Sequence, residues 1–298
     1  MGGYLTGAGR TAGVVSVDTE AMLDRIRTGP KGARIAAFFD FDGTLIDGYS
    51  ATALYEKRLR ARQVGAGEIV RALQAARGGP MSETEFESFI AQGISGWAGR
   101  SQSWLDAFGK DLYRHWIAKK LFHEAWRIVK AHQRAGHTVV IASSATRVQI
   151  AGVARELGIT DVLCTELEMV DGVATGRLAG RTLWGEGKEA AIRDFARRHR
   201  LRLANAYGYA NGDEDVPFLQ SVGHPCAVNP QPGLAQAAAA NGWPVLEFQS
   251  GNGRLDPVPA LRTGGIWASL IGGGAAGIAM SLLTGDRRSL EVAELAGQ

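Results

Sequence analysis

Short hydrophobic runs alternate with longer amphipathic runs from residue 34 onward. The hydrophobic runs predict five β-strands, at Arg34–Phe39, Thr138–Ala142, Asp161–Thr165, Ala204–Tyr209 and Pro225–Val228. The amphipathic runs predict helices between them, at Glu124–Ala135, Val148–Leu157, Glu189–Arg200 and Pro217–Val222. Because the strands lack polar alternation, both faces of their sheet should be covered. The pattern predicts an α/β fold, a Rossmann-like parallel sheet of about five strands.

A long helix-rich segment interrupts this alternation after the first strand. It covers residues 48–120, and its sequence SETE at Ser82–Glu85 is typical of a capping box that opens a helix. We expect a helical cap domain here, above the carboxyl ends of the strands, where open α/β sheets bind ligands. The core domain would then comprise residues 34–47 and 121–250. Within it, Asp171-Gly172 predicts the turn of a hairpin.

The two ends of the chain fall outside this core. Residues 1–33 are predicted to be a partly disordered N-terminal extension, and residues 251–298 a linker and a hydrophobic helix. Gly264–Leu283 holds twenty residues without a charge, which is long enough to cross a bilayer. Small residues recur there every four positions, a pattern typical of close helix contacts in membranes. The segment predicts contact with a membrane or a partner helix; a soluble helix docked on the domain or a flexible tail stays open.

Composition excludes several classes of protein. The chain has 298 residues, of which 45% are hydrophobic and 21% charged, with a formal net charge of +3, values that are ordinary for a globular protein. No basic stripe with interleaved aromatics indicates nucleic acid. Cys164 and Cys226 each lie in a hydrophobic run, which predicts buried reduced thiols. The N-terminus is too weakly hydrophobic for a signal peptide, so we expect a cytoplasmic protein, with membrane association at the cytoplasmic face left open.

Two carboxylates follow the first predicted strand. In the motif DFDGTL, Asp40 comes directly after the apolar run IAAFF, and Asp42 stands two residues later. Burying two carboxylate charges together is costly unless a cation or a shifted proton compensates. A strand-end turn favours Asp and Gly, and would account for Asp42 and Gly43 but not for Asp40. The motif therefore predicts a site that depends on a metal or a proton, with Asp40 at its centre.

Three further motifs lie at the ends of predicted strands or the start of a helix. Ser143 ends the second strand in VVIASSAT, Lys188 opens a helix in GEGKEAAI, and Asn211 and Asp215 follow the fourth strand in YANGDED. The Gly-x-Gly-Lys sequence is not a P-loop, because Glu189 stands where Ser or Thr is needed. Together with Asp-x-Asp-Gly-Thr, these residues in this order resemble the haloacid dehalogenase superfamily. The insertion after the first motif resembles its phosphoserine-phosphatase-like subfamily IB.

The resemblance implies a Mg²⁺-dependent phosphomonoester phosphatase. Asp40 would be the nucleophile that forms an aspartyl-phosphate, Asp42 would be the general acid and base, and Ser143 and Lys188 would assist catalysis. The implied phosphate-binding residues are Gly43, Thr44, Ser143, Ser144 and Lys188, and the implied metal ligands are Asp40, Asp42, Asp215 and Asn211. The family usually has an aspartate where this chain has Asn211. An amide brings no charge to the metal, so Asp213 or Glu214 stays open as a compensating ligand.

The substrate is less well defined by the sequence. Phosphoserine phosphatases carry a glutamate nine residues beyond the nucleophile, where this chain has Tyr49, so phosphoserine is disfavoured. The resemblance favours a small phosphorylated metabolite or a lysophospholipid-type phosphate. With its tail, the chain also resembles the phosphatase part of bacterial two-part proteins that carry a lysophospholipid acyltransferase. The alternative function is a weakly active scaffold or lipid-binding domain that partners a membrane acyltransferase, and a homodimer also stays open.

Overall fold

A single parallel sheet organises the molecule. The computed structural model describes residues 15–61 and 82–249. Seven parallel strands lie in the order β1-β9-β8-β7-β2-β3-β4, and β5 and β6 form a separate antiparallel hairpin. The strands are β1 Val15–Ser16, β2 Ala36–Phe39, β3 Thr138–Thr146, β4 Asp161–Thr165, β5 Leu167–Val170, β6 Val173–Leu178, β7 Tyr207–Ala210, β8 His224–Val228 and β9 Pro244–Leu246. The predicted α/β class is therefore confirmed.

Helices cover both faces of the sheet and form the inserted segment. The α-helices of the described residues are α1 Thr19–Thr28, α2 Ser50–Arg60, α3 Glu83–Ser95, α4 Gln102–Leu112, α5 His123–Arg134, α6 Arg147–Leu157, α7 Glu186–Arg198, α8 Val216–Gln220 and α9 Pro232–Asn241. A π-helical turn at Tyr113–Ile117 and 3₁₀ turns at Ala118–Lys120, Leu203–Asn205 and Asp213–Asp215 complete them. The capping box predicted at Ser82 and Glu85 is present and opens α3.

The hydrophobic core has two halves, one on each face of the sheet. Along β2, Ala37 and Phe39 pack into one cluster, whereas Ala36 and Phe38 pack into the other. Successive side chains of a strand point to opposite faces, so a fully apolar strand requires two covered faces. All four residues of β2 are buried, and the hydrophobic run ends with the strand, so that Asp40 is the first residue after it.

The sheet has two more strands than the sequence predicts. β1 and β9 have only two and three residues and pair with each other at one edge. Such short strands give too few alternating positions to be recognised from hydrophobic periodicity. Val15–Thr28, placed by the sequence in the N-terminal extension, forms β1 and then α1, which packs on α5. Residues 1–14 lie outside the described residues.

The inserted segment leaves and rejoins the core at one place. The amide of Asp47 donates to the carbonyl of Lys120 at 2.8 Å, and the amide of Phe122 donates to the carbonyl of Leu45 at 3.0 Å. The described helices of the predicted cap are α2, α3 and α4; residues 62–81 lie outside the described residues. α4 packs closely on α6, where a Cβ on Gly109 would lie 2.7 Å from the carbonyl oxygen of Val148.

The antiparallel hairpin supports the cap. Asp171 and Gly172, with φ of 51° and 75°, form the turn that the sequence predicts. The amide of Gly99 donates to the carbonyl of Ala174 at 2.9 Å, and the amide of Ala174 donates to the carbonyl of Arg100 at 2.8 Å. These bonds join β6 to the loop between α3 and α4, so the cap rests on the hairpin as well as on α6.

Two other predictions concern the environment of the chain. Cys164 and Cys226 are buried free thiols, as predicted. Within residues 15–61 and 82–249, no helix combines the length and hydrophobicity needed to span a bilayer. The segment Gly264–Leu283, which carried the membrane prediction, lies outside the described residues.

Candidate active site

The candidate residues lie at the carboxyl ends of three adjacent strands. Phe39 pairs with Ile141 of β3 on one side and with Tyr209 of β7 on the other. Asp40 follows β2 directly, and its amide donates to the carbonyl of Tyr209 at 2.9 Å. Ser143 and Asn211 lie two residues beyond the positions that pair with Phe39. The parallel register thus gathers three separate motifs at one edge of the sheet.

A buried ion-pair cluster forms the centre of the site. Nζ of Lys188 donates to Oδ1 of Asp40 at 2.8 Å and to Oδ1 of Asp215. Lys188 is 2% exposed and Asp215 is 1% exposed. Burial alone would lower the pKa of Lys188, but the carboxylates of Asp215 and Asp40 outweigh it and raise the pKa. The lysine therefore stays charged and offsets part of the charge of the two buried carboxylates.

The carboxylate of Asp215 has an oxygen that the protein leaves unsatisfied. Oδ2 of Asp215 is buried without a hydrogen-bond partner. Burial raises the pKa of Asp215 to about 6, against the opposing charge of Lys188. A buried carboxylate oxygen without a partner is costly, and a cation at that oxygen would remove the cost.

Asp42 is hydrogen-bonded to Ser50, the first residue of α2 at the start of the cap. Oδ1 accepts from the Ser50 amide at 2.6 Å, and Oδ2 accepts from the Ser50 hydroxyl at 3.0 Å. Burial raises the pKa of Asp42 to about 7, although the two bonds from Ser50 lower it in part. A carboxyl with a pKa near neutrality can both give and take a proton, which is what a general acid and base requires.

The loop that follows the two aspartates allows a close approach of Asn211, the first residue after β7. Gly43 has φ of 73°, and a Cβ there would lie 2.1 Å from Nδ2 of Asn211, so only glycine fits. The buried hydroxyl of Thr44 lies 3.4 Å from Oδ2 of Asp40. Asn211 therefore packs against the loop that follows Asp42, and lies within the site that the sequence assigns to it.

The serines of the second motif lie on an irregular end of β3. The pairing of β3 with β4 changes register between Ala142 and Thr146, which frees the backbone around Ser143 and Ser144. Ser143 is 1% exposed, and its hydroxyl oxygen accepts from the amide of Ala145 at 3.1 Å. Its own hydroxyl hydrogen remains available to a ligand. The carbonyl of Ser144 accepts from the hydroxyl of Thr165 at 2.7 Å.

The two acids beside Asp215 have different environments. Oδ1 of Asp213 accepts from the amide of Leu234 at 2.7 Å, so Asp213 caps the start of α9. The carboxyl of Glu214 folds back toward Gly212, where it would lie 2.5 Å from an added Cβ. Burial and then the neighbouring Asp215 raise the pKa of Glu214 to about 8. Of the two alternatives that the sequence left open for the metal, Asp213 is occupied by a structural bond and Glu214 lies beside the ion-pair cluster.

Sequence reasoning missed the residues that hold Asp42. Ser50 is fully buried, and its hydroxyl accepts from Nε2 of Gln149 at 2.8 Å. A serine before a helical run is a recognisable helix-start signal, but it does not reveal contact with an aspartate eight positions earlier. No local signal connects Gln149 with Ser50, because the two are 99 positions apart.

The donor set suits a hard divalent cation. Asp40 and Asp215 bring carboxylates, and Asn211 brings an amide oxygen, all of which are ligands that Mg²⁺ accepts. The unsatisfied Oδ2 of Asp215 marks a position where such an ion would replace a missing partner. Within the described ranges, no three His, Cys, Asp or Glu side chains are arranged to hold a metal by themselves. The set therefore fits a cation whose other ligands are neutral oxygens, water or substrate.

Comparison with known proteins agrees with this geometry. The model of the haloacid dehalogenase-like hydrolase family matches residues 37–220, more than half of the chain, and the matched range contains all four motifs. The phosphoserine phosphatase SerB1 of Mycobacterium tuberculosis is 33% identical over 268 residues, which cover 88% of this chain and 84% of that protein.

Two further similarities each cover 72% of this chain. The histidinol-phosphatase of Neisseria meningitidis serogroup C is 28% identical over 218 residues, covering 72% of this chain and 98% of that protein. A solved structure of a protein of unknown function from Bordetella pertussis Tohama I superposes with a TM-score of 0.63 at 28% identity, covering 72% of this chain and 98% of that one.

Proposed function

The chain belongs to the haloacid dehalogenase-like hydrolases and is a phosphatase of that family, and from this premise we propose that it hydrolyses small phosphate monoesters through a phosphoryl group carried on Asp40. The observation that carries the proposal is the buried cluster of Asp40, Lys188 and Asp215. Asp42, two residues after Asp40, has a carboxyl whose pKa is raised to about 7. Burying these charges together costs stability, and such clusters of buried ionisable groups are concentrated at functional sites, so the cluster supports a catalytic role.

The residues divide the reaction into two steps. In the first, an oxygen of Asp40 attacks phosphorus, the bond to the leaving oxygen breaks, and protonated Asp42 gives its proton to that oxygen. In the second, Asp42 takes a proton from a water molecule whose oxygen attacks phosphorus, and the Asp40 carboxylate is released. Asp42 thus begins and ends the cycle protonated, which a pKa near 7 permits.

The surrounding donors would bind the phosphoryl oxygens. The ammonium of Lys188 and the free hydroxyl hydrogen of Ser143 are buried donors at the edge of the sheet. Gly43 and Thr44 belong to the loop after Asp42, and Ser144 belongs to the irregular end of β3 next to Ser143. Donors held in place before the reaction stabilise developing charge, and removal of one such donor typically costs about 2.7–4 kcal/mol of transition-state stabilisation.

A magnesium ion would be held by Asp40, Asp215 and Asn211, with Asp42 as the further ligand that the family resemblance implies. When bound, the ion would supply positive charge that reduces repulsion between the Asp40 carboxylate and an anionic phosphate ester. Lys188 supplies one positive charge against the two negative charges of Asp40 and Asp215, so a cation would offset the remaining negative charge of the cluster.

The substrate would be a small phosphorylated metabolite or a lysophospholipid-type phosphate. Tyr49 occupies the position at which the resemblance expects an amine-binding glutamate, and its hydroxyl accepts from Nε2 of Gln231 at 2.9 Å. The neutral Tyr49–Gln231 pair supports a substrate group other than the ammonium of phosphoserine. The relatives named for phosphoserine and for histidinol phosphate make both compounds necessary members of a substrate panel.

The test is turnover of that panel with Mg²⁺. It should contain phosphoserine, histidinol phosphate, a lysophosphatidic acid and p-nitrophenyl phosphate, each measured with the wild-type chain and with Asp40→Asn. We expect hydrolysis of at least one ester, loss of turnover in the variant and an unchanged thermal midpoint. Hydrolysis of no ester, or turnover by Asp40→Asn at more than a trace, would overturn the proposal.

A further inference from the structure

A line of buried hydrogen bonds leads from Asp42 into the core. The Ser50 hydroxyl donates to Oδ2 of Asp42 at 3.0 Å and accepts from Nε2 of Gln149 at 2.8 Å. Oε1 of Gln149 accepts from the amide of Thr146 at 2.9 Å and from its hydroxyl at 2.8 Å. Ser50, Gln149 and Thr146 are 0%, 5% and 2% exposed, so water does not compete for these bonds.

The direction of every bond in this line is fixed. The Thr146 amide can only donate, so the side-chain atom of Gln149 that faces it must be the oxygen. The Gln149 nitrogen must then face Ser50 and donate to its hydroxyl oxygen. The single hydroxyl hydrogen of Ser50 is left to point at Oδ2 of Asp42. The backbone amide of Thr146 thus determines the orientation of the Gln149 side chain and of the Ser50 hydroxyl.

The helix start accounts for only half of this arrangement. Thr146 and Gln149 form a capping box at the start of α6, a common structural device. That box uses the oxygen of Gln149 and leaves its nitrogen unused. The nitrogen instead reaches 99 positions back to the first residue of α2, where the chain enters the cap.

The line restricts where Asp42 can carry its proton. Both carboxyl oxygens already accept a hydrogen on the side of Ser50, Oδ1 from the amide and Oδ2 from the hydroxyl. A proton on Asp42 must therefore occupy a lone pair that faces away from Ser50. We propose that Ser50 and Gln149 are positioning residues that aim the Asp42 proton toward the leaving oxygen of the substrate. This inference rests on the proposed function.

The test compares two esters that need the proton to different extents. p-Nitrophenolate leaves without much help from an acid, whereas the alkoxide of an alkyl phosphate must be protonated as it leaves. The alkyl phosphate would be the one that the substrate panel shows to be hydrolysed best. Because kcat/KM reports phosphoryl transfer to the enzyme, the ratio of kcat/KM for the two esters measures how well Asp42 delivers its proton. A general loss of structure lowers both values together and leaves the ratio unchanged.

Two variants break the line at different bonds. Gln149→Glu keeps the oxygen that accepts from Thr146 but replaces the donor toward Ser50 with an acceptor. Ser50→Ala removes the hydroxyl but keeps the amide, and serves independently should Gln149→Glu fail to fold. Ser50→Thr restores a hydroxyl. Gln133→Glu and Ser221→Ala are matched controls, because Gln133 donates to the carbonyl of Leu157 and Ser221 to that of Phe218, bonds that do not involve Asp42.

We expect Gln149→Glu and Ser50→Ala to lower kcat/KM for the alkyl phosphate by about ten-fold more than for p-nitrophenyl phosphate, within the range of general acid catalysis. Ser50→Thr and both controls should keep the wild-type ratio. An equal loss on the two esters, or no loss, would overturn the inference while leaving the phosphatase activity in place. A wild-type chain that hydrolyses neither ester would overturn the proposed function and this inference with it.

Discussion

At the scale of single residues, the site holds an aspartate that opposes folding. Burial raises the pKa of Asp42 to about 7, so the folded state binds its proton more tightly than the unfolded chain does. The charge of this carboxylate therefore destabilises the fold increasingly as the pH rises from about 4 to about 7, and has no effect below that range.

Asp42→Asn should accordingly stabilise the protein while impairing it as an enzyme. In metal-free buffer at pH 8, we expect the free energy of unfolding to rise by about 2 kcal/mol, and the gain to shrink toward zero near pH 4. Urea unfolding at several pH values measures both. A gain that does not depend on pH would show that the charge of Asp42 is not its source.

Asn211 gives the second prediction at this scale. It packs on Gly43 beside Asp40, and the amide brings no charge to a cation. Asn211→Asp should therefore tighten Mg²⁺ binding, as measured by calorimetric titration. The matched control is Asp213→Ala, which should leave Mg²⁺ affinity unchanged but lower stability by about 1 kcal/mol, because it removes the oxygen of Asp213 that caps α9. Unchanged affinity in Asn211→Asp would place this side chain away from the metal.

The motif residues could be predicted from the sequence, whereas the residues outside the motifs that hydrogen-bond to their side chains could not. Asp40, Lys188 and Asp215 each follow a recognisable strand or start a helix, and the parallel register brings them together as expected. Tyr49 was recognised only as a departure from the resemblance, and its bond to Gln231 has no local signature. Ser50 and Gln149 meet across 99 positions, and such contacts depend on packing between elements that sequence spacing does not specify.

At the scale of elements, a buried pair of histidines joins α5 to the strands behind the site. Nδ1 of His132 lies 2.8 Å from Nδ1 of His137, and Nε2 of His132 lies 2.9 Å from the hydroxyl of Tyr209. The Tyr209 ring stacks on Phe39, the residue before Asp40, with ring centroids 4.6 Å apart. This contact layer ties α5 to β2 and β7.

Acid should weaken this layer. Burial, and then the neighbouring His137, lower the pKa of His132 well below 6.5, so the folded state binds fewer protons than the unfolded chain. The stability from neutral His132 is complete above pH 6.5 and is lost as the pH falls, by up to about 1.4 kcal/mol per pH unit. Compared with the wild-type chain, His132→Gln should remove the contribution of His132 to the slope of the free energy of unfolding against pH, measured by urea unfolding between pH 7 and pH 5. The exposed His123→Gln should keep the wild-type slope. Equal slopes in both variants would contradict the assignment.

The elements themselves followed from the pattern except at the edge of the sheet. The central strands have long hydrophobic runs, and the Asp171-Gly172 turn has an unambiguous sequence, so both were predicted correctly. β1 and β9 escaped prediction because two or three residues make no period. The added strands extend the sheet away from Asp40 and leave the site as predicted.

At the scale of the whole molecule, the chain divides into a catalytic body and a tail. Phe248 packs on Phe122, and the amide of Gln249 donates to the carboxylate of Glu124 at 3.2 Å, so the described chain ends against the start of α5. β9, the last strand of the described chain, lies before this point and pairs with β1 and β8. The hydrophobic segment Gly264–Leu283 follows, outside the described residues, and we propose that it contacts a membrane or a partner helix.

Removal of residues 264–298 should therefore separate activity from association. We expect the thermal midpoint and the phosphatase rate to change little, because the four motifs and every strand of the described residues precede residue 250. Liposome co-sedimentation or self-association, measured in parallel by analytical ultracentrifugation, should fall. A truncated chain that unfolds or loses its activity would instead make the segment a structural helix of the enzyme.

The proposed role of Asp40 can be tested by trapping the phosphoryl group on its side chain during turnover. The enzyme would be quenched in acid during turnover with Mg²⁺ and its best ester, then digested and sequenced by mass spectrometry. We expect a phosphoryl group on Asp40 in the wild-type chain, and none on the peptide that contains this position in Asp40→Asn. Full turnover without any phosphorylated Asp40, or with the phosphoryl group on another residue, would show that Asp40 is not the residue that carries it.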